Sequence, residues 1–428
     1  MKRGLRLRLF CFPHFSGDNM DIRVYLLLAC TGLIALTLLK RSGLMNSGGA
    51  AIAAVLLTTL AIGLRAVAMD YETLDYQNFL SVWVQFFRDN GGFSALKHEI
   101  GNYNIPYLYF LALFSYSSIN DLYLIKILSI FFDVLLAFAA MKLVSRVSSS
   151  VPRLLGCFFT VLMLPTVYLN GALWGQCDSS YVAFALLGIW LALEDRPWQA
   201  MVCAAISFGF KLQAVFILPV YAVLWMMGKF RLKHFIAFPL SYLIMVLPAV
   251  LLGRPFIDTL TLYFSQTGSI GDGLNYNSPS VFSFFQYSLP EYYHKAACQA
   301  GILAAFAFML ALLIICYVNR DRLNEKALMS VGLLFAIGIP FLLPHMHDRY
   351  FFGADVLSVV LAFVMPLFAA VPILVQFASY LGYYAYLNMR FLLLMDRGAW
   401  ALTGALALGF TAFFLCLRKK DKNFSKLY

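Results

Sequence analysis

Charge is what this sequence has least of. Asp, Glu, Lys and Arg make up only 12% of its 428 residues, whereas 62% are apolar or aromatic. A soluble domain carries about 25% charged residues, so one large water-facing globule is excluded, and coiled coil, collagen and disorder fail on the same composition. Cysteine spacing is equally sparse in meaning. The eight cysteines form no C-x-x-C, and Cys30, Cys157, Cys203, Cys316 and Cys416 fall inside apolar runs. There cysteine acts as a small hydrophobe, which argues against a thiolate metal site or a redox pair. No internal repeat and no low-complexity stretch is present. A cleaved signal peptide is not expected: Pro13, His14 and Asp18 interrupt the basic start, and no small-residue cleavage site follows the first apolar run. That run begins only after Met20, a candidate alternative start.

Apolar runs dominate instead. A bilayer requires about 20 apolar residues per helical span, and the pattern predicts about thirteen helices. They lie at 24–39, 50–69, 122–144, 154–170, 180–194, 198–210, 214–228, 235–252, 297–318, 327–343, 354–368, 370–387 and 398–417. The fold class is therefore all-α, a polytopic membrane protein of about 12–13 spans. Residues 1–23 form a tail, 24–417 one transmembrane domain, and 418–428 a basic tail. The net charge of +11 points to topology rather than to nucleic acid, because the basic residues sit between apolar runs. Lys40 and Arg41; Lys142, Arg146 and Arg153; Arg196; Lys229, Arg231 and Lys233; Arg320, Arg322 and Lys326; and Arg418, Lys419, Lys420, Lys422 and Lys426 occupy alternate loops. Such loops are cytoplasmic by the positive-inside rule. Only Asp133 reads as a charge truly in mid-span, and it is expected to pair helices.

The opposite face carries the longer segments, 70–121 and 253–296, rich in Tyr, Asn, Asp, Pro and Gly. Asp70, Glu72 and Asp75 place three carboxylates within six residues. Beyond them Phe79, Val82, Trp83, Phe86 and Phe87 recur at helical spacing, predicting an amphipathic helix on the membrane surface that ends at Asn90-Gly91-Gly92. A carboxylate held there is placed to take a proton from an acceptor hydroxyl. Asn102, Tyr103 and Asn104 suit sugar hydroxyls and the interfacial belt alike. Trp174, Gln176 and Asp178 lie between two spans, where polar groups are costly unless they face protein or a cavity. Lys211 with Gln213 offers an ammonium at an outer helix end, read either as snorkelling or as a phosphate ligand. Asp272-Gly273-Leu274-Asn275-Tyr276-Asn277 forms a polar turn, with Asn275 and Asn277 as binding candidates.

The densest group is His345, His347, Asp348, Arg349 and Tyr350, at the end of an apolar helix. Arg binds phosphate bidentately and stays charged. His345 and His347, two apart, cannot share one face of a regular helix and would ligate one metal only in an irregular turn, so phosphate or sugar contact is expected ahead of a metal.

Taken in order, these segments resemble the membrane-embedded GT-C glycosyltransferases, and most of all bacterial proteins related to the GPI-anchor second-mannose transferase. The residues that carry the resemblance are Asp75-Tyr76 with Phe79-Leu80 and Trp83, Asn90-Gly91-Gly92-Phe93, Asn102 through Tyr109, Trp174 through Asp178, Phe210 through Ala214, and Leu343 through Phe351. The resemblance implies a GT-C-like bundle and a polyprenyl-phosphate sugar as donor. It also implies a glycan, lipid or protein acceptor, surrounding membrane lipids and no nucleic acid, with no certain cofactor beyond the donor itself and a divalent metal as the less favoured alternative. The product would be a mannoside formed with inversion, at the non-cytoplasmic face of a bacterial cell membrane. The family's catalytic carboxylate matches Asp75, with Asp70 and Glu72 in competition. Two departures stand out: the helix at 24–39 precedes the usual first span, and His345 stands where the family pattern has Lys. A flippase or transporter of lipid-linked sugars is the competing reading, and it requires charges lining a path through the membrane.

Overall fold

The computed structural model describes residues 20–268, 273–285 and 288–418. Asp272, the basic residues before Met20, and Lys419, Lys420, Lys422 and Lys426 lie outside the described residues.

A chain this apolar satisfies its backbone inside the bilayer only by folding into helices. α1 (Ile22–Arg41) and α2 (Gly48–Val67) form a hairpin. The first polar segment follows, with a π-helical turn at Tyr76–Leu80, α3 (Ser81–Asp89) and α4 (Ile105–Phe114). The chain then runs through α5 (Asp121–Ser145), α6 (Val151–Leu162) and α7 (Pro165–Tyr168), the last continuing into a second π turn at Leu169–Trp174. Next come α8 (Asp178–Leu193), α9 (Pro197–Phe210), α10 (Pro219–Met226), α11 (Ala237–Leu251) and α12 (Phe256–Gly268). The bundle closes with α13 (His294–Val318), α14 (Glu325–Leu342), α15 (Phe352–Val364), α16 (Ala370–Asn388) and α17 (Met395–Leu417).

All thirteen predicted runs are helical, and the chain is an all-α, multi-pass membrane protein. Among the described residues eight helices are long and apolar enough to span, and the pair 151–162 and 165–174, bent by 47°, makes a ninth if it counts as one broken span. The remaining apolar helices are shorter than a straight span requires. Helix starts follow the expected capping chemistry: Ser47, Asn120 and Asn324 side chains accept from the backbone N–H of Ala50, Leu122 and Ala327.

Burial divides helices of similar hydropathy. In α14, 83% of the apolar stretch is buried, against 22% in the α13 stretch, so α14 is a core helix while α13 faces lipid. Charged loops collect at the two ends. At one end Arg146 bridges Glu194 and Glu325, each at 2.7 Å, and Lys229 holds Asp195 at 2.8 Å. The loops that join there are the basic ones. At the other end the segments 70–121, 170–178, 273–279 and 343–351 converge.

Two expectations need correction. The surface stripe is rotated: α3 buries Trp83, Val84 and Phe87, with Leu80 from the preceding turn, while Phe79 and Val82 are exposed. Phe79 lies in the π turn at Tyr76–Leu80 and so departs from the regular helical phase, whereas Val82 follows it in α3 on the face turned away from the protein. Nor is Asp133 alone. Arg65, Lys126 and Asp355 are also buried inside helices α2, α5 and α15. Asp133 does pair helices, with its Oδ2 2.9 Å from Arg65 and its Oδ1 accepting from Ser179 at 2.5 Å.

Candidate functional site

The site begins where α2 ends. Lys126, fully buried on α5, donates to the carbonyls of Ala68 (2.7 Å), Met69 (3.0 Å) and Tyr71 (2.6 Å). One ammonium thus ties down the turn that follows α2 and fixes the segment that leads to Asp75. Asp75 lies immediately before the first π turn, and its backbone N–H donates to the Tyr386 hydroxyl at 3.2 Å. Its Oδ2 accepts from Trp174 Nε1 and from Gln176 Nε2, both at 2.9 Å. Those donors come from the second π turn and the loop after it. The chain escapes that turn at Gly175, whose φ of 75° an L side chain rarely adopts.

The second cluster centres on Arg349. Its guanidinium lies 3.8 Å from Asp75, 3.6 Å from Asp178 and 3.6 Å from Asp348, and 4.8 Å from the centre of the Trp174 ring. Those separations are long for ion pairs, and Arg349 Nε is buried without a hydrogen-bond partner. Asp178 is more tightly committed: Lys211 donates to its Oδ1 at 2.5 Å and Asn170 to its Oδ2 at 2.7 Å. Tyr103 donates to Gln176 Oε1 at 2.9 Å, and its ring lies 5.7 Å from the Lys211 ammonium.

A two-stranded parallel sheet closes the third wall, joining β1 (Asn275–Tyr276) to β2 (Met346–His347). It stacks the His347 ring on Tyr276 at 4.8 Å. Burial, with Arg349 and Lys211 adding to it, pushes His347 down to about 4, so the ring is neutral near pH 7. Burial also pushes Asp348 up to about 7, against the pull of Arg349. Because the folded state holds this proton more tightly than the unfolded chain, the associated stability is fully present below pH ~4 and is lost as pH rises through ~7. Asp348→Asn removes that dependence. Thermal unfolding of the purified protein in detergent, scanned from pH 5 to 8, should show a flatter profile for the variant; an unchanged slope would place the proton elsewhere.

These walls enclose a cavity of about 400 Å³. Asp75, Asp348, Arg349 and His347 supply its charge and proton chemistry, and Asn102, Gln176 and Asn277 its amides. Phe79, Trp83, Tyr103, Tyr276, Tyr350 and Tyr386 supply aromatic faces. Trp83 is held in place by Gly101, whose φ is 64° and where a Cβ would stand 2.5 Å from the indole.

The other candidate residues sit outside this cavity. Asp70 is exposed and accepts from the Tyr123 hydroxyl at 2.7 Å, and Glu72 is exposed and accepts from Gln77 at 3.0 Å. Asn104 caps α4 and donates to the Tyr242 hydroxyl at 2.9 Å. Asn275 closes its own turn onto Ser278. His345, at φ 60°, is spanned between the Gly273 carbonyl at 2.7 Å and Cys298 Sγ at 3.4 Å, so it pins the 273–276 turn. Lys211 backs the site through Asp178, and Gln213 backs it through a hydrogen bond to Tyr350. Sequence reasoning missed Tyr276, Tyr386, Asn170 and Lys126. A lone lysine four residues into an apolar run was a usable signal. Among the described residues no cluster of three His, Cys, Asp or Glu side chains is arranged to hold a metal ion.

Bundle and cavity together define an integral membrane protein with a polar, aromatic-walled site at one end. The chain belongs to glycosyltransferase family 87, whose model matches residues 102–344, more than half of its length. It is a membrane glycosyltransferase, using a sugar donor and an acceptor. The matched stretch contains Asn102, Tyr103, Trp174, Gln176, Asp178 and Lys211, while Asp75 lies 27 residues before it and Arg349 five residues after it. A comparison with curated proteins found no match.

Proposed function

We propose that this cavity transfers a hexose, mannose, from a polyprenyl-phosphate carrier to an acceptor hydroxyl with inversion at the anomeric carbon. The observation that carries the reading is a guanidinium whose buried Nε has no hydrogen-bond partner and whose Nη1 lies 3.8 Å from the carboxylate of Asp75 in one cavity. A phosphate fits the first group and an acceptor hydroxyl the second. Trp174, Gln176 and Arg349 all address Oδ2 of Asp75, which leaves Oδ1 to take the proton. The acceptor oxygen then bonds to the anomeric carbon as the bond from that carbon to the phosphate oxygen breaks. The electron pair leaves with the lipid phosphate, whose growing charge the preorganised Arg349 stabilises. Lys211 neutralises Asp178, so that Arg349 is not consumed by it. Aromatic faces on both sides of Asp75 favour a sugar ring.

The choice of mannose and of the polyprenyl carrier rests on the resemblance of the segments around Asp75, Trp174 and Arg349 to GT-C enzymes, including the GPI-anchor second-mannose transferase. A flippase is less well supported, because the cations buried within the helices are held by partners: Arg65 by Asp133, and Lys126 by three carbonyls. Purified protein incubated with a panel of polyprenyl-phosphate sugars should release polyprenyl phosphate from the mannose donor in the presence of acceptor. Release from none of them, with turnover of a nucleotide sugar instead, would overturn the proposal.

The site is assigned to the non-cytoplasmic face, because the basic loops gather at the other end of the bundle. Single cysteines placed at Asn102 and at Arg390 in intact cells should react with a membrane-impermeant maleimide, and one at Arg322 should not. The reverse pattern would invert the topology.

A further inference from the structure

A second cavity, of about 820 Å³, lies at the opposite end of the bundle from Asp75, among the basic loops. The sequence puts cations at helix ends there. Arg146 and Arg418 cap α5 and α17, Lys229 follows α10, Arg322 precedes α14 and Lys326 stands in its first turn. Packing then gathers all five around one hollow, whose described lining holds one carboxylate, Glu325. That acid is already spent: Arg146 bridges Glu325 and Glu194, each at 2.7 Å, and Lys229 holds Asp195 at 2.8 Å. Arg322, Lys326 and Arg418 form no ion pair among the described residues. The sequence after Arg418 does not offer the missing charge, because Lys419, Lys420, Lys422 and Lys426 outnumber Asp421.

The positive-inside rule accounts for Lys and Arg on these loops, but it selects a side of the membrane and does not ask that three unpaired cations surround one hollow. Like charges brought together repel, and a bound anion relieves that repulsion. The rest of the wall is largely apolar, with Val147, Leu193, Met227 and Leu415. There α17 ends with Phe414 and Leu415 exposed, apolar surface that an acyl chain can cover. We propose that this cavity binds a phosphate-bearing anion of at least two negative charges, held by Arg322, Lys326 and Arg418. Guanidinium forks and an ammonium suit phosphate oxygens, and basic pockets between helices on this side of a membrane suit the head groups of anionic lipids. A free diphosphate offers the same oxygens; the apolar part of the wall favours the lipid. The site stands apart from the sugar-transfer cavity and does not depend on how that cavity is read.

Binding measured on the full-length protein in neutral detergent tests it with two radiolabelled probes. One is cardiolipin, a lipid with two phosphates, and the other is inorganic pyrophosphate. The double variant Arg322→Gln with Lys326→Gln should weaken binding about tenfold or more, the scale for losing hydrogen bonds to a charged group. Both side chains are exposed and free of ion pairs among the described residues, so the variant should fold, and a single symmetric peak on size exclusion checks this. Lys233→Gln with Arg320→Gln removes the same charge from exposed positions at the same end but outside the cavity, and should bind like wild type. Tight cardiolipin binding with weak pyrophosphate binding identifies a lipid head group as the source, and the reverse identifies a free phosphate compound. Binding of neither probe, an equal loss in the two double variants, or no loss in Arg322→Gln with Lys326→Gln would each overturn the proposal. An equal loss, in particular, would show a diffuse basic face in place of a site.

Discussion

Asp75→Asn is expected to lower turnover by roughly 10²-fold or more, the usual scale for removing positioned acid–base help. The amide keeps the size of the side chain and leaves an oxygen to accept from Trp174 and Gln176, so the local hydrogen bonds survive. What it loses is the capacity to accept the proton of the incoming hydroxyl. Donor affinity should change little, because the phosphate is assigned to Arg349. Asp70 and Glu72 provide the control: both are exposed and outside the cavity, and each has its own partner in Tyr123 or Gln77. Asp70→Asn and Glu72→Gln should therefore retain turnover within a few-fold of wild type. Initial rates under saturating donor, with affinity measured separately, distinguish the cases. A near-normal Asp75→Asn protein beside an inactive neighbour variant would move the base to that neighbour.

Arg349→Lys should be nearly as damaging, for a different reason. The substitution keeps one positive charge but replaces a planar fork of five donors with a point charge. In the resting protein the guanidinium lies 3.6–3.8 Å from the carboxylates of Asp75, Asp178 and Asp348. An ammonium cannot face all three and a phosphate as well, and it cannot stack as flatly on Trp174. Loss of one preorganised donor to a developing negative charge costs about 10²–10³ in turnover, and donor affinity should fall too. The protein should still insert and fold, since the charge remains. Arg349→Ala goes further by leaving the buried carboxylates short of a counter-charge, so a loss of folded protein is expected. Turnover and donor binding of Arg349→Lys near wild type would show that the phosphate sits elsewhere.

The candidate site was partly legible because its residues are polar groups in places where polarity is costly. Asp75, Trp174, Gln176, Asp178, Arg349 and Tyr350 were conspicuous between apolar runs. Their grouping was not legible, since Asp75 and Arg349 are far apart in sequence and only packing brings them to 3.8 Å. The same limit applies to His345 and His347. Two positions apart in a polar cluster they look equivalent, yet the left-handed backbone at His345 turns its ring onto Gly273, while His347 faces the cavity. Lys211 looked like a free cation because its partner, Asp178, lies on another helix.

What the sequence determined by itself is the class of fold. Apolar runs in lipid have no stable alternative to helices, so the class follows from composition and order. Tertiary structure alone decided which apolar helices are core and which face lipid, because a bilayer and a protein interior are equally apolar and hydropathy cannot separate them. It also decided how the buried charges are shared: Arg65 with Asp133, Lys126 with the end of α2, and Arg349 among three carboxylates. Such pairings depend on distances of a few ångströms between helices remote in the chain, and the order of residues does not encode them locally.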